Sequence, residues 1–163
     1  MTTNTPSKAN TITVTEVSAA EQRRRIDQAI ARRAYEIFES RGGGGWHELE
    51  DWWQAEAEIR CKLCFGLTTS VESVRVGCDG GSFEKGSMEL WVAPRQLTIC
   101  GKPLFPKLLP SGSAAVYRGT VFRVIVLPAV IDPKGVFAHW KSSHLELRLP
   151  IVKAPLQVHA RAV

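Results

Sequence analysis

The chain has no apolar run approaching the roughly 18 residues of a membrane span. Its first residues, M-T-T-N-T-P-S-K-A-N-T, have no apolar core, so no signal peptide is expected there and the expected address is the cytoplasm. The four cysteines would then stay reduced. Cys61-Lys62-Leu63-Cys64 is a C-x-x-C pair, but no second such pair and no H-x-x-x-H follows, which weighs against a zinc or redox site. Gly42–Gly45 is not followed by the Gly-Lys-[Ser/Thr] of a phosphate loop and reads as a hinge. His47 with Glu50 and Asp51 lacks H-E-x-x-H spacing and is most simply a helix start. His139 and His144 stand near Ser142 and Ser143, and adjacency in sequence is not a triad. No catalytic residue and no cofactor is expected. Charge of one sign is also scarce. Twenty-one Lys and Arg against 16 Asp and Glu give +5, with the densest cluster at Arg23-Arg24-Arg25 and Arg32-Arg33 in one helical stretch. A nucleic-acid arm concentrates more charge and adds stacking aromatics, so neither a nucleic acid nor a membrane is an expected partner.

What remains is the makeup of a soluble globular chain: 163 residues, 44% hydrophobic and 23% charged. Residues 1–18, rich in Thr, Ser and Asn, read as a disordered tail. Ile26, Ile30, Ala34, Ile37 and Phe38 then recur at intervals of three and four and predict a helix with one apolar stripe, ended by the four glycines. A second helix is predicted from His47 to Leu63, with Glu48, Glu50 and Asp51 in the first turn. Together they predict a helical hairpin over 19–65, with Trp46, Trp52 and Trp53 more simply its core than a grip on another protein. Gly66–Ser70 reads as a joint, beyond which the hydrophobic period changes from 3.6 to 2.

Val71–Val76, Met88–Val92 and Leu97–Cys100 are strand candidates, separated by turns at Asp79-Gly80-Gly81-Ser82 and Ala93-Pro94-Arg95. Residues 101–115 form a Pro-bearing loop that is unusually apolar, with Leu104, Phe105, Leu108 and Leu109. Val121 to Leu127 is apolar on nearly both faces. Leu145, Leu147 and Leu149 alternate with Glu146 and Arg148, a strand with one wet face. Each of these two strands stops at a Leu-Pro, because proline has no N–H for the ladder, and a short strand lies between them. The expected fold class is α+β: the hairpin, then an all-β immunoglobulin-like sandwich over 71–153 and a C-terminal extension over 154–163.

Residues 71–158 resemble the α-crystallin domain of the small heat-shock protein family. The likeness rests on Leu97-Thr98-Ile99-x-Gly101, on Val121-x-Arg123-x-Ile125-x-Leu127-Pro128 with aliphatics where the family has aromatics, and on Val130-Ile131-Asp132-Pro133. It extends to Ala138–Leu145 in the place of A-x-x-x-x-G-V-L and to the Leu147-Arg148-Leu149-Pro150 ending. Residues 22–62 resemble a short bacterial two-helix domain of unknown function, through Ala34-Tyr35-Glu36-Ile37-Phe38, Arg41-Gly42 and Asp51-Trp52-Trp53-Gln54-Ala55-Glu56. There are departures. Ser143-His144 replaces the family's Gly-Val, Gly81-Ser82-Phe83 replaces Pro-Gly-Phe, and 101–118 stands where bacterial members carry a charged, dimer-swapping strand.

The resemblance implies an ATP-independent holdase of the stress response, which binds unfolded or partly folded clients and assembles as a homodimer or larger homo-oligomer. It implies a groove between Met88–Val92 and Val136–Trp140, with Leu90, Val92, Val136 and Ala138 as its lining. A family groove of this kind is filled by a C-terminal I-x-I/V segment. Here Pro155-Leu156-Gln157-Val158 is the counterpart, with Leu156 and Val158 as anchors on one face of an extended chain. Arg123 would pair at a dimer interface, or stand as an ordinary edge charge. Leu90 and Val92 have a plainer reading as core. A second function fits the same residues: an adaptor that docks one defined partner on the sandwich.

Overall fold

The computed structural model describes residues 12–60, 62–104 and 117–153. Helix α1, Ala19–Ser40, begins at a side-chain cap, the Ser18 hydroxyl accepting from the Glu21 N–H at 3.2 Å. Glu21 then takes guanidinium hydrogen bonds from Arg24 and Arg25, which hold its carboxyl down to about 2. Ile26, Ile30 and Ile37 line the buried stripe. The helix ends where Gly42 and Gly43 take φ of 88° and 69°, a left-handed stop that side chains resist. Helix α2, Glu48–Ile59, runs back along α1, joined to it by Arg33–Glu58 at 2.5 Å and by Arg41–Asp51. It stops four residues before the expected Leu63. Arg60 turns extended (φ −75°, ψ 115°) and makes a parallel bridge to Phe122, so contact with the sheet overrides helix propensity there.

Two four-stranded sheets follow. The first has the order β1-β4-β5-β6, with β1 Thr13–Glu16, β4 Glu89–Ala93, β5 Gln96–Gly101 and β6 Val121–Val126. The second has the order β2-β3-β8-β7, with β2 Phe65–Thr69, β3 Ser73–Asp79, β7 Phe137–Lys141 and β8 His144–Pro150. Alternation sorts their side chains. Leu90, Val92, Leu97, Ile99 and Ile125 of the first sheet and Val74, Val76, Leu145, Leu147 and Leu149 of the second form one buried cluster, each at most 2% exposed. The other face of the first sheet, with Trp91, Cys100 and Phe122, packs under Ile26, Ile30, Ile37, Ala55 and Ile59. The molecule is therefore a three-layer stack of helix pair, sheet and sheet.

The family-like motifs fall on these strands with identifiable tasks. Gly101 ends β5 where a Cβ would come within 2.8 Å of the Phe83 ring. Leu127, 1% exposed, follows β6 and donates its N–H to the Arg95 carbonyl at 2.9 Å. Asp132 caps a short 3₁₀ turn at Pro133–Gly135 by accepting from the Lys134 N–H at 3.0 Å. At the β7–β8 turn the left-handed residue is Ser142, φ 57°, rather than Ser143, which stands in the family's Gly position.

Three sequence expectations need correcting. The segment read as a tail to residue 18 carries β1, because Ile12-Thr13-Val14-Thr15 is a β-branched run with period-two alternation that finds an open strand edge. The supposed joint at Gly66–Ser70 is mostly β2, antiparallel to β3, with Gly66 opposite Gly77 and Leu67 opposite Val76. Of the hairpin's tryptophans only Trp52 packs on its core. Trp52 is half-buried, whereas Trp46 is 99% and Trp53 59% exposed, because Ala55, Glu58 and Ile59 occupy the inward face of α2.

Cysteine reactivity tests the helix-on-sheet packing. Cys100 is 2% exposed under α1, and burial together with the nearby Glu89 charge pushes its thiol up to about 12. At pH 8 about one thiol in ten thousand is then ionised. Iodoacetamide at that pH is expected to label the exposed Cys64 and to leave Cys100 intact until denaturant is added, as read by peptide mass spectrometry. Labelling of Cys100 at a comparable rate in native buffer would mean that the helices lift off the sheet.

Candidate functional site

Strand β4 stands next to the edge strand β1 in the first sheet, and β7 is an edge strand of the second. Leu90 and Val92 point inward from β4 and are fully buried. Val136 and Ala138, at the start of β7, are half-buried and pack against the same cluster. All four belong to, or pack against, the one buried cluster between the sheets. The β4 edge is not open. Strand β1 runs parallel along β4, with Thr13 opposite Glu89, Val14 opposite Leu90, Thr15 opposite Trp91 and Glu16 opposite Val92, and the Val17 N–H bonds the Val92 carbonyl at 3.0 Å. This register places Ile12 and Val14 on the Leu90/Val92 side, and Ile12 packs into the cluster.

A strand edge is a row of unpaired N–H and C=O groups, and β1 satisfies that row with four residues whose own side chains are all exposed. An extended segment with two apolar residues spaced two apart, and so on one face, is the kind of ligand that such an edge takes. β1 is such a segment, supplied by the chain itself. Sequence reading missed it as a strand. The signal was present in the Ile12-Thr13-Val14-Thr15 alternation, followed at once by the Ser18-x-x-Glu21 capping pattern.

Solved structures similar to this chain are small heat-shock proteins. Heat shock protein 16.0 of Schizosaccharomyces pombe is 17% identical with a TM-score of 0.47, over 74% of this chain and 94% of that one. The small heat-shock protein of Xylella fastidiosa is 14% identical with a TM-score of 0.45, over 64% and 98%. HSP18.5 of E. histolytica is 14% identical with a TM-score of 0.44, over 61% and 97%. No family model matches the sequence, and no curated protein does.

Arg123 lies at the other side of the sandwich. It faces inward from β6 opposite Ile99, and its guanidinium sits 5.1 Å from the Phe65 ring centroid on β2. Its Nε is buried and has no hydrogen-bond partner among the described residues. Its contact is therefore cation–π, across the gap between β6 and β2. Leu156 and Val158 lie outside the described residues, as does Cys61. Among the described residues no group of His, Cys, Asp and Glu is placed to hold a metal ion, and no helix is long and apolar enough to cross a membrane. His139 and His144 stand on the outer face of the second sheet, without a hydrogen bond to Ser142 or Ser143 among the described residues.

Proposed function

We propose that this chain is an ATP-independent chaperone of the small heat-shock type, which holds unfolding proteins by accepting extended apolar segments along β4. The observation that carries this reading is a β4 edge already served by a short segment, β1, and we take Leu90, Val92, Val136 and Ala138 as the apolar groove beside it. Four residues of main-chain pairing are enough to shield an edge and few enough to be displaced. Leu156 and Val158 of a neighbouring copy have the spacing to take the same place, which would make a homo-oligomer. Arg123, over Phe65, then marks a second rim for contact between copies. The test is aggregation of a heated model client monitored by light scattering. Equimolar protein is expected to suppress it without nucleotide, and no suppression at several-fold excess refutes the reading.

The adaptor reading is favoured by the same β1 strand, since a chain that fills its own groove need not be promiscuous. Such a protein would be monomeric or dimeric and would bring down one partner in fixed stoichiometry. An assembly larger than a tetramer that dissociates when residues 155–163 are removed counts against it.

A further inference from the structure

Among the described residues no layer covers two outward faces of the stack, and their chemistry is complementary. On the helix layer, Trp46, just ahead of α2, and Leu49 and Trp53, four apart on it, are 99%, 60% and 59% exposed. Such a stripe of large apolar groups is the kind of surface that marks an interaction site. It is flanked by acid, with Glu48 and Glu50 exposed beside it.

The outer face of the second sheet is the counterpart. Arg75 on β3 and Arg148 on β8 are directly opposite each other in the ladder, both exposed. Like charges in that position repel, and neither guanidinium has an ion pair among the described residues. Phe137 is next in the same row, opposite Arg148, 62% exposed and stacked on His139. In the adjoining row Gly66 faces Gly77, and the His144 ring folds over Gly77, where a Cβ would come within 2.9 Å of its Nε2; His139 and Glu146 complete the lining. The result is a depression of about 490 Å³ with two unpaired guanidinia and an aromatic ring at its side.

We propose that these faces bind each other between copies: the Trp46/Leu49/Trp53 stripe of one chain seats on the Arg75/Arg148 face of the next. An indole stacks against Phe137 beside the Arg75–Arg148 pair, the guanidinia stack on indole rings, and Glu48, with Glu50 exchanging its bond to His47, supplies the carboxylates that Arg75 and Arg148 lack. The chain already makes this contact internally, where the Arg25 guanidinium lies 5.2 Å from the Trp91 ring centroid. The sizes agree. The twelve residues of α2 extend about 18 Å, against about 14 Å across four strands of the sheet. One copy cannot join its own faces, because they belong to opposite outer layers. The contact is therefore head-to-tail and adds a subunit at each end, giving a ring where the rotation closes and a filament where it does not. It exists whether or not the protein holds clients.

The decisive test pairs two variants. Trp46→Ala/Trp53→Ala breaks only the helix face, and Arg75→Glu/Arg148→Glu only the sheet face. Wild-type protein at concentrations on the order of 100 μM, above the Kd of even a micromolar contact, is expected to self-associate in sedimentation velocity. Each variant alone should associate about thirty-fold more weakly, as loss of central tryptophan or arginine contacts does. Mixed, the two should form a one-to-one complex, since each retains the face that the other has lost. Circular dichroism and cooperative unfolding confirm that both are folded; if either double variant is not, Trp53→Glu and Arg148→Glu carry the same mixing experiment. A monomeric wild type, variants that keep its size, or folded variants that fail to pair when mixed each overturn the proposal. A monomeric wild type whose Trp46→Ala/Trp53→Ala variant loses client protection overturns it too and assigns the stripe to clients. Pairing without any client protection leaves the interface standing and refutes the chaperone reading alone.

Discussion

Gln22→Leu is expected to lower the stability of this protein by about 3 kcal/mol, although a side chain of similar size replaces another inside α1. Gln22 is fully buried and connects three elements. Its amide N–H donates to the Val17 carbonyl at 2.7 Å, and its Oε1 accepts from the Thr98 hydroxyl at 2.7 Å and from the Gln96 amide at 3.0 Å. Those bonds fix the turn from β1 into α1 onto β5. In the leucine variant the Val17 carbonyl and the Thr98 hydroxyl, itself on a fully buried residue, are left in a dry interface. Each such orphan costs about 1–3 kcal/mol, more than the net worth of the bond that it lost. At this chain length the midpoint of thermal unfolding should fall on the order of 10 °C. The second mutation decides the cause. Adding Thr98→Val removes one orphan, so Gln22→Leu/Thr98→Val should recover about 1 kcal/mol over the single variant. If urea titration finds the double variant less stable by the sum of two independent losses, the network is not what holds the helices to the sheet.

That network also shows where sequence reading stops. A glutamine within an arginine-rich stretch reads as solvated helix surface. Only the partner across the fold, Thr98 on β5, makes it core. The strands themselves were legible because their periods are enforced locally. Leu145, Leu147 and Leu149 alternate with charged residues, and those three do face the inter-sheet cluster. Leu97–Ile99 and Val121–Ile125 were legible for the same reason. The groove of Leu90, Val92, Val136 and Ala138 was expected from a family likeness rather than from periodicity, and the strand alongside β4 was invisible because β1 pairs with it across more than seventy residues. The exposed Trp46 and Trp53 were misread for a related reason. Aromatic spacing on a helix identifies a face, but which face turns inward is settled by neighbours, and here Arg33 draws Glu58 inward and Arg41 draws Asp51. Two ion pairs hold α2 so that Trp53 faces out while Trp52 packs on the core.

The strand that pairs with β4 sets the largest functional effect. Ile12→Asp/Val14→Asp places two carboxylates on the side of β1 that faces Leu90 and Val92, while the backbone that meets the Gln22 network stays intact. Burying a charge against apolar walls is unfavourable enough that β1 should leave the edge. Its hold is modest, since its four residues have exposed side chains and only Ile12 adds to the cluster. A hold of about 2 kcal/mol leaves the edge open in roughly 3% of molecules, so anything that competes for it binds about thirty-fold more weakly than to a free edge. The variant should remove that handicap. A labelled peptide with residues 153–160, which include Leu156 and Val158, is expected to bind it up to about thirty-fold more tightly than wild type in fluorescence anisotropy. The same peptide with Leu156→Ala/Val158→Ala should gain nothing. Client suppression should rise with peptide affinity, because both would use the β4 edge. Equal peptide affinity for variant and wild type would mean that β4 is not the accepting edge, and β1 would then be only a brace for the first sheet. A tighter peptide without better client protection would separate self-recognition from client holding and leave the β4 edge to the adaptor reading.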